Sequence, residues 1–257
     1  MRIGISVAQC GRLARPAAVI AAARAAEQLG YSSVWVCDSV PDPTGVLAAT
    51  AAVTTRVRLG ANLRVDAGRD PAGLARALAT VDVLSEGRLM VVVDMADDLP
   101  EDVLDAIDAC FEGSRPPVLL GGRSPAVLDR AARRADGWAP AGIALDDLAP
   151  TWAAIRDRAA GHGRDPDALR LVVRAGVVLT GPPLAGDRPA YAGDAEQVAD
   201  DVDVTRGAGA DEIVLRLDGD LTLDEALDGY ARIAEAAELR AVRAAARRSL
   251  SAQVPLR

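Results

Sequence analysis

The feature that most constrains this chain is a sustained alternation. Eight short runs rich in Val, Ile and Leu, at 2–7, 33–37, 57–63, 88–94, 117–120, 137–142, 171–179 and 212–217, are each followed by a longer Ala/Leu/Arg/Asp stretch of helical period. Strands that alternate with helices pair in parallel, because each helix carries the chain back across one face of the sheet. Dividing the 257 residues by eight gives about 32 per unit, and about 250 residues is the usual size of a (β/α)8 barrel. The expectation is a single α/β domain over 1–257, a closed TIM barrel. An open doubly wound sheet would want a glycine-rich turn after its first strand. The segment there reads Ala8-Gln9-Cys10-Gly11-Arg12, with one glycine.

Local punctuation agrees with this division. The first helix, over 16–29, opens on Pro16 and is followed by Gly30, the expected placing of proline just inside a helix and glycine just past it. Asp70-Pro71 and Ser124-Pro125 start further helices in the same way, and Asp165-Pro166 marks a turn before the seventh strand. Between the fourth and fifth strands the pattern leaves room for one helix over about 101–111. The arginine-rich stretch from Arg240 reads as the tail of the last helix.

Composition closes several reaction classes. The chain contains no lysine, which removes a Walker-type phosphate loop, a lysine Schiff base and a lysine general base. One histidine and three scattered cysteines, Cys10, Cys37 and Cys110, give no CxxC pair and no zinc-ligand spacing, so no metal is expected and the thiols read as reduced core groups. A net charge of −8 argues against nucleic-acid and anionic-membrane partners. No apolar run approaches the ~20 residues of a membrane span, and a cytoplasmic location is expected.

A set of short stretches, taken in order, carries a further signal. They are Glu27-Gln28-Leu29-Gly30-Tyr31-Ser32-Ser33-Val34-Trp35-Val36-Cys37-Asp38, then Thr55-Arg56-Val57-Arg58-Leu59-Gly60, then Asp70-Pro71 with Ser85-Glu86-Gly87-Arg88. Gly121-Gly122-Arg123-Ser124-Pro125, Ala135-Asp136-Gly137-Trp138 and Gly163-Arg164-Asp165-Pro166 follow. In this order and spacing they resemble the luciferase-like monooxygenase superfamily, in particular its branch using the deazaflavin F420, and the resemblance implies a TIM barrel, F420 or alternatively FMN at the carboxyl ends of the strands, and an oxidoreductase acting by hydride transfer on a small organic substrate. It also implies a homodimer.

The candidate site residues follow from these stretches. Gly121, Gly122, Arg123 and Ser124 leave an apolar strand and open a helix, so backbone N–H groups, the helix dipole and a cation could gather about an anion. The resemblance makes that anion the cofactor phosphate; the alternative is a turn whose serine merely caps. Asp38 and Ser39, after the second strand, are the candidate catalytic pair, where relatives commonly carry Asp-His. Serine donates a hydrogen bond but does not shuttle a proton as imidazole does, and turn formation before Pro41 is the alternative for Asp38. Asn62 and Leu63 end the third strand, where the resemblance implies a backbone bulge behind the cofactor ring; a plain strand-to-loop transition is the alternative. Arg64 and Arg69 could reach an anionic tail. Trp138 faces the cofactor end or fills core, His162 reads as a surface turn, and Asp97-Asp98, Asp146-Asp147 and Asp200-Asp201-Val202-Asp203 read as solvated faces.

Two departures from the resemblance bear on function. The fourth strand ends Val92-Val93-Asp94-Met95-Ala96 without the expected glycines, and a carboxylate there opposes a phosphate unless it points away or pairs with an arginine. The long excursion after that strand is also missing, which predicts a notched, open rim. These departures keep a second reading in view, a degenerate barrel acting as a partner subunit or small-molecule binder.

Overall fold

The computed structural model describes residues 1–7, 15–37, 42–64, 70–94, 102–111 and 115–252, with side chains through 237 apart from that of Pro16. Asp38, Ser39, Arg69, Asp97-Asp98 and much of the expected notch lie outside these residues. The elements in chain order are β1 Arg2–Val7, α1 Pro16–Gln28, β2 Ser33–Cys37, α2 Pro43–Ala51, β3 Arg58–Arg64, α3 Pro71–Leu84, β4 Leu89–Asp94 and α4 Asp102–Cys110. They continue with β5 Val118–Gly121, α5 Pro125–Arg133, β6 Gly137–Trp138, α6 Leu145–Gly161, β7 Arg170–Leu179, β8 Ala192–Gly193, α7 Ala195–Gly207, β9 Glu212–Leu217 and α8 Leu223–Ala252. Adjacent strands pair in parallel from β1 to β6, β6 pairs with β7, β7 with β9 and β9 with β1, which closes an eight-stranded TIM barrel. The ninth strand, β8, adds only to the outer end of β7, at Val178 and Leu179.

The helices start where proline and a capping side chain coincide. Asp42, Asp70 and Ser124 each accept a backbone N–H from the first turn, and each precedes a proline at the start of its helix. Asp165 does the same for a single 3-10 turn, Pro166–Ala168. One expected strand comes out short: β6 ends at Trp138 rather than Gly142, because Pro140 has no N–H for the ladder. The chain regains only one bridge, from Ala141 to Arg174.

Strand alternation divides the buried side chains into two cores. Val34, Val36, Val91, Val93, Leu120, Leu171, Val173, Ile213 and Leu215 face outward and pack with the helices. Trp35, Met90, Val92, Leu119, Ala139, Val172 and Val214 form a separate cluster filling the barrel interior. Below that plug, Glu212 is fully buried and pairs with Arg58 and the Ser33 hydroxyl. No described helix is long and apolar enough to cross a membrane.

Most stretches that carry the resemblance turn out to hold the amino-terminal rim together. Glu27 accepts the backbone N–H groups of Thr55, Arg56 and Val57. Arg88 donates to the carbonyls of Ala51, Thr54, Val57 and Ser85. Asp136 takes the Val118 N–H and pairs with Arg115, and Arg164 closes the end of α5 on the carbonyls of Ala132 and Ala135. All of these lie between a helix and the next strand, at the end of the barrel opposite its carboxyl rim.

Candidate active site

Above the interior plug, at the carboxyl ends of the strands, lies a cleft of about 300 Å3. Trp35 and Val214 form its floor, Ser6, Cys37 and Asn62 one wall, and Arg174, Gly176 and Arg216 the other. The period of two that puts Trp35 inside the barrel also brings Cys37 to the cleft, since they are two residues apart on β2. Cys37 is therefore a cleft residue rather than the core thiol expected from sequence. Its sulfur sits 3.4 Å from the Ser6 hydroxyl and 3.8 Å from Asn62 Nδ2.

Two features shape this cleft chemically. The Trp35 indole is held in place: its Nε1 donates to Ser33 Oγ at 2.9 Å, and Ser33 in turn donates to buried Glu212. Asn62 Oδ1 is shielded from solvent and has no hydrogen-bond partner among the described residues. An acceptor left unmade in a shielded place costs free energy that a donor on a ligand would recover.

The other expected site residues fall as follows. Leu63 is fully buried in the outer core, so its side chain faces away from the cleft. The implied bulge at Asn62-Leu63 is absent, because the β3–β4 ladder runs unbroken from Leu59 opposite Leu89 to Arg64 opposite Asp94. Ser124 caps α5 through the Val127 N–H. Arg123 is directed to the Gly142 carbonyl at 2.7 Å. Trp138 fills core beneath this turn and donates to the Gly122 carbonyl at 2.8 Å. Asp94, Asn62 and Gly121 share the carboxyl rim, as their registers require.

Asp94 does not stand as a lone anion. Arg174 grips it with both terminal nitrogens, Nη1 to Oδ2 at 2.8 Å and Nη2 to Oδ1 at 2.5 Å. The pair lies over Gly121, where a Cβ would overlap Asp94 Oδ1 and stand 2.7 Å from Arg174 Nη2. Gly121 thus makes room for this pair, and the backbone face expected to meet a phosphate is filled.

Elsewhere, His162 caps the end of α6 and lies 3.4 Å from Asp129, on the surface. Asp201 corrects the expectation of a solvated acidic face: it is buried, bound by Arg188 and by the Tyr191 N–H. Among the described residues, no group of His, Cys, Asp and Glu is placed to hold a metal ion.

The fold matches those of known proteins. The family model for luciferase-like monooxygenases matches residues 1–101 and 94–183, and the chain belongs to that family. The monooxygenase RslO1 from Streptomyces bottropensis superposes with a TM-score of 0.70 at 20% identity, over 91% of this chain and 98% of that one. An F420-dependent secondary alcohol dehydrogenase, solved with an F420-acetone adduct, gives 0.70 at 16% identity over 90% and 98%. A riboflavin lyase solved with modified FMN and riboflavin gives 0.72 at 16% identity over 94% and 92%.

Proposed function

We propose that this chain is an oxidoreductase whose cleft takes the ring of F420, or alternatively FMN, and that hydride passes between that ring and a small organic substrate. The observation that carries this reading is the apolar Trp35 floor of the cleft with Asn62 on the adjoining wall, its Oδ1 without a partner among the described residues. A flavin or deazaflavin ring is flat and apolar on its faces, with an N–H donor flanked by carbonyls at one edge. Its edge donor complements Asn62, and its face complements Trp35. At about 300 Å3 the cleft lies at the small end of ligand pockets, enough for a ring and not for a whole cofactor.

The cofactor supplies the hydride chemistry when bound, and the protein supplies binding and orientation. Trp35 and Val214 keep water from below, Asn62 fixes the ring edge, and the Ser6 hydroxyl offers a further hydrogen bond. Asp38 and Ser39 follow Cys37 directly in sequence and are proposed to meet the substrate, Ser39 as a hydrogen-bond donor. Gly122, Arg123 and Ser124 remain candidates for the cofactor's outer portion, whereas Gly121 does not fit a phosphate while Asp94 and Arg174 lie over it.

Fluorescence titration of the purified protein with F420 and with FMN tests the reading. Saturable, stoichiometric binding of one of them is the expected result. No saturable change with either overturns it. The second reading, a degenerate barrel that binds another small molecule or a partner subunit, is favoured by the same Asp94–Arg174 pair.

A further inference from the structure

We propose that the Asp94–Arg174 pair is a crossbar that decides which ligands the barrel mouth accepts, admitting a ring on one side and closing the Gly121 face to a phosphate on the other. The proposal rests on the ring-binding reading above and adds to it a specificity-determining pair. Asp94 ends β4 and Arg174 stands on β7, with β5 and β6 between them around the wall, so the pair reaches across the mouth rather than joining neighbouring strands. Cleft residues come from β1, β2, β3, β7, β9 and the segment after β6; among the described residues, none of β4 or β5 lines it. Gly121 therefore lies beyond the crossbar.

The pair is built to stay closed. Both ends of the Arg174 fork are on Asp94, and its Nε donates to the Ala139 carbonyl at 3.0 Å. The Arg174 side chain is 13% exposed and that of Asp94 29%. Closure has two effects on an anion. Arg174 spends its charge on Asp94, and the Asp94 carboxylate presents like charge to any phosphate brought to Gly121. Opening the crossbar at Asp94 would remove the repulsion, clear the Gly121 face and free Arg174 to bind the phosphate.

The experiment compares FMN with lumiflavin, the same ring without ribityl phosphate, by calorimetry on the wild type, Asp94→Ala and Asp94→Ala/Arg174→Ala. F420 and its phosphate-free deazaflavin form a parallel pair. In the wild type the phosphate should add little to the affinity of the ring, because the Gly121 face is closed to it and only Gly122, Arg123 and Ser124 are left to meet it. Asp94→Ala should raise FMN affinity relative to lumiflavin by tenfold or more, and the double variant by less, because Arg174 no longer contributes. The double variant answers the question if Arg174, left unpaired, keeps Asp94→Ala from folding. An unchanged FMN-to-lumiflavin ratio in the variants overturns the crossbar while leaving the ring reading intact. If no ring compound binds any variant, the ring reading falls, and inorganic phosphate decides the crossbar. Phosphate binding to Asp94→Ala but not to the wild type supports it; none to either overturns it.

Discussion

The indole of Trp35 covers the backbone of Gly60, its register partner on β3, so closely that a Cβ on Gly60 would fall among the ring atoms Cδ2, Cε2 and Cε3. Trp35 can reach across the barrel only because Gly60 has no side chain, and the cleft floor depends on that pairing. Gly60→Ala should displace the ring and cost about 1–3 kcal/mol of stability, as overpacking does. A fall in the urea midpoint is the expected reading; an unchanged midpoint means the ring is not where the packing puts it.

Glu27 gives the barrel a defined response to acid. Burial pushes its carboxyl up, but the N–H groups of Val57, Arg56 and Thr55 outweigh that and bring it from 4.5 down to about 2. A folded-state pKa lowered in this way contributes stability that is fully present above about 4.5 and is lost as the pH falls toward about 2. Glu27→Gln should cost about 1–2 kcal/mol at neutral pH, allowing for solvent screening, and progressively less toward pH ~2. Denaturation curves across that range check it, and a constant deficit at every pH contradicts it.

Tyr230 fastens the last helix beside the cleft. Its hydroxyl donates to the Ser6 carbonyl at 3.0 Å and accepts the Leu217 N–H at 3.3 Å, while its own carbonyl receives Tyr31 Oη at 2.6 Å. Burial raises both tyrosine hydroxyls far above their ordinary range, so they stay neutral donors at any working pH. Tyr230→Phe should lower stability by about 1–3 kcal/mol, read from thermal unfolding. A melting temperature equal to wild type would show that the two bonds contribute nothing.

How much of this was legible in the sequence depends on the residue. The strands were readable because apolar runs alternate with helical period, and Asp70-Pro71 and Ser124-Pro125 marked helix starts that the structure reproduces. Of the described cleft residues, only Asn62 was singled out from sequence as a site residue. Ser33, Trp35 and Cys37 alternate with Val34 and Val36, a signal that one face of β2 differs from the other, but alternation alone does not say which face looks into a barrel. Arg174 and Arg216 were missed, although an arginine within an otherwise apolar strand is a signal that the lumen there is polar. The stretches that made the family legible, such as Glu27, Arg88 and Arg164, serve the opposite rim, where they bind backbone groups between helix and strand. Resemblance thus reported the scaffold more fully than the chemistry.

Asn62 provides the sharpest test of the cleft by mutation. Asn62→Leu removes an acceptor with no partner among the described residues and only the weak 3.8 Å contact from Nδ2 to Cys37 Sγ, so stability should change little, while affinity for the ring compound should fall about tenfold, the equivalent of one lost hydrogen bond. Parallel urea and binding titrations separate the two effects. Unchanged ring affinity would remove Asn62 from the site.

The proposed seat of a flavin-type ring on Trp35, at the β1–β3 side of the barrel mouth, is tested most directly by a crystal structure of the protein with whichever of F420 or FMN it binds. Ring density is expected above Trp35, with an edge donor within hydrogen-bond distance of Asn62 Oδ1 and the Asp94–Arg174 pair closed beside it. Density for the ring against Gly121, or bound outside the barrel mouth altogether, would contradict it.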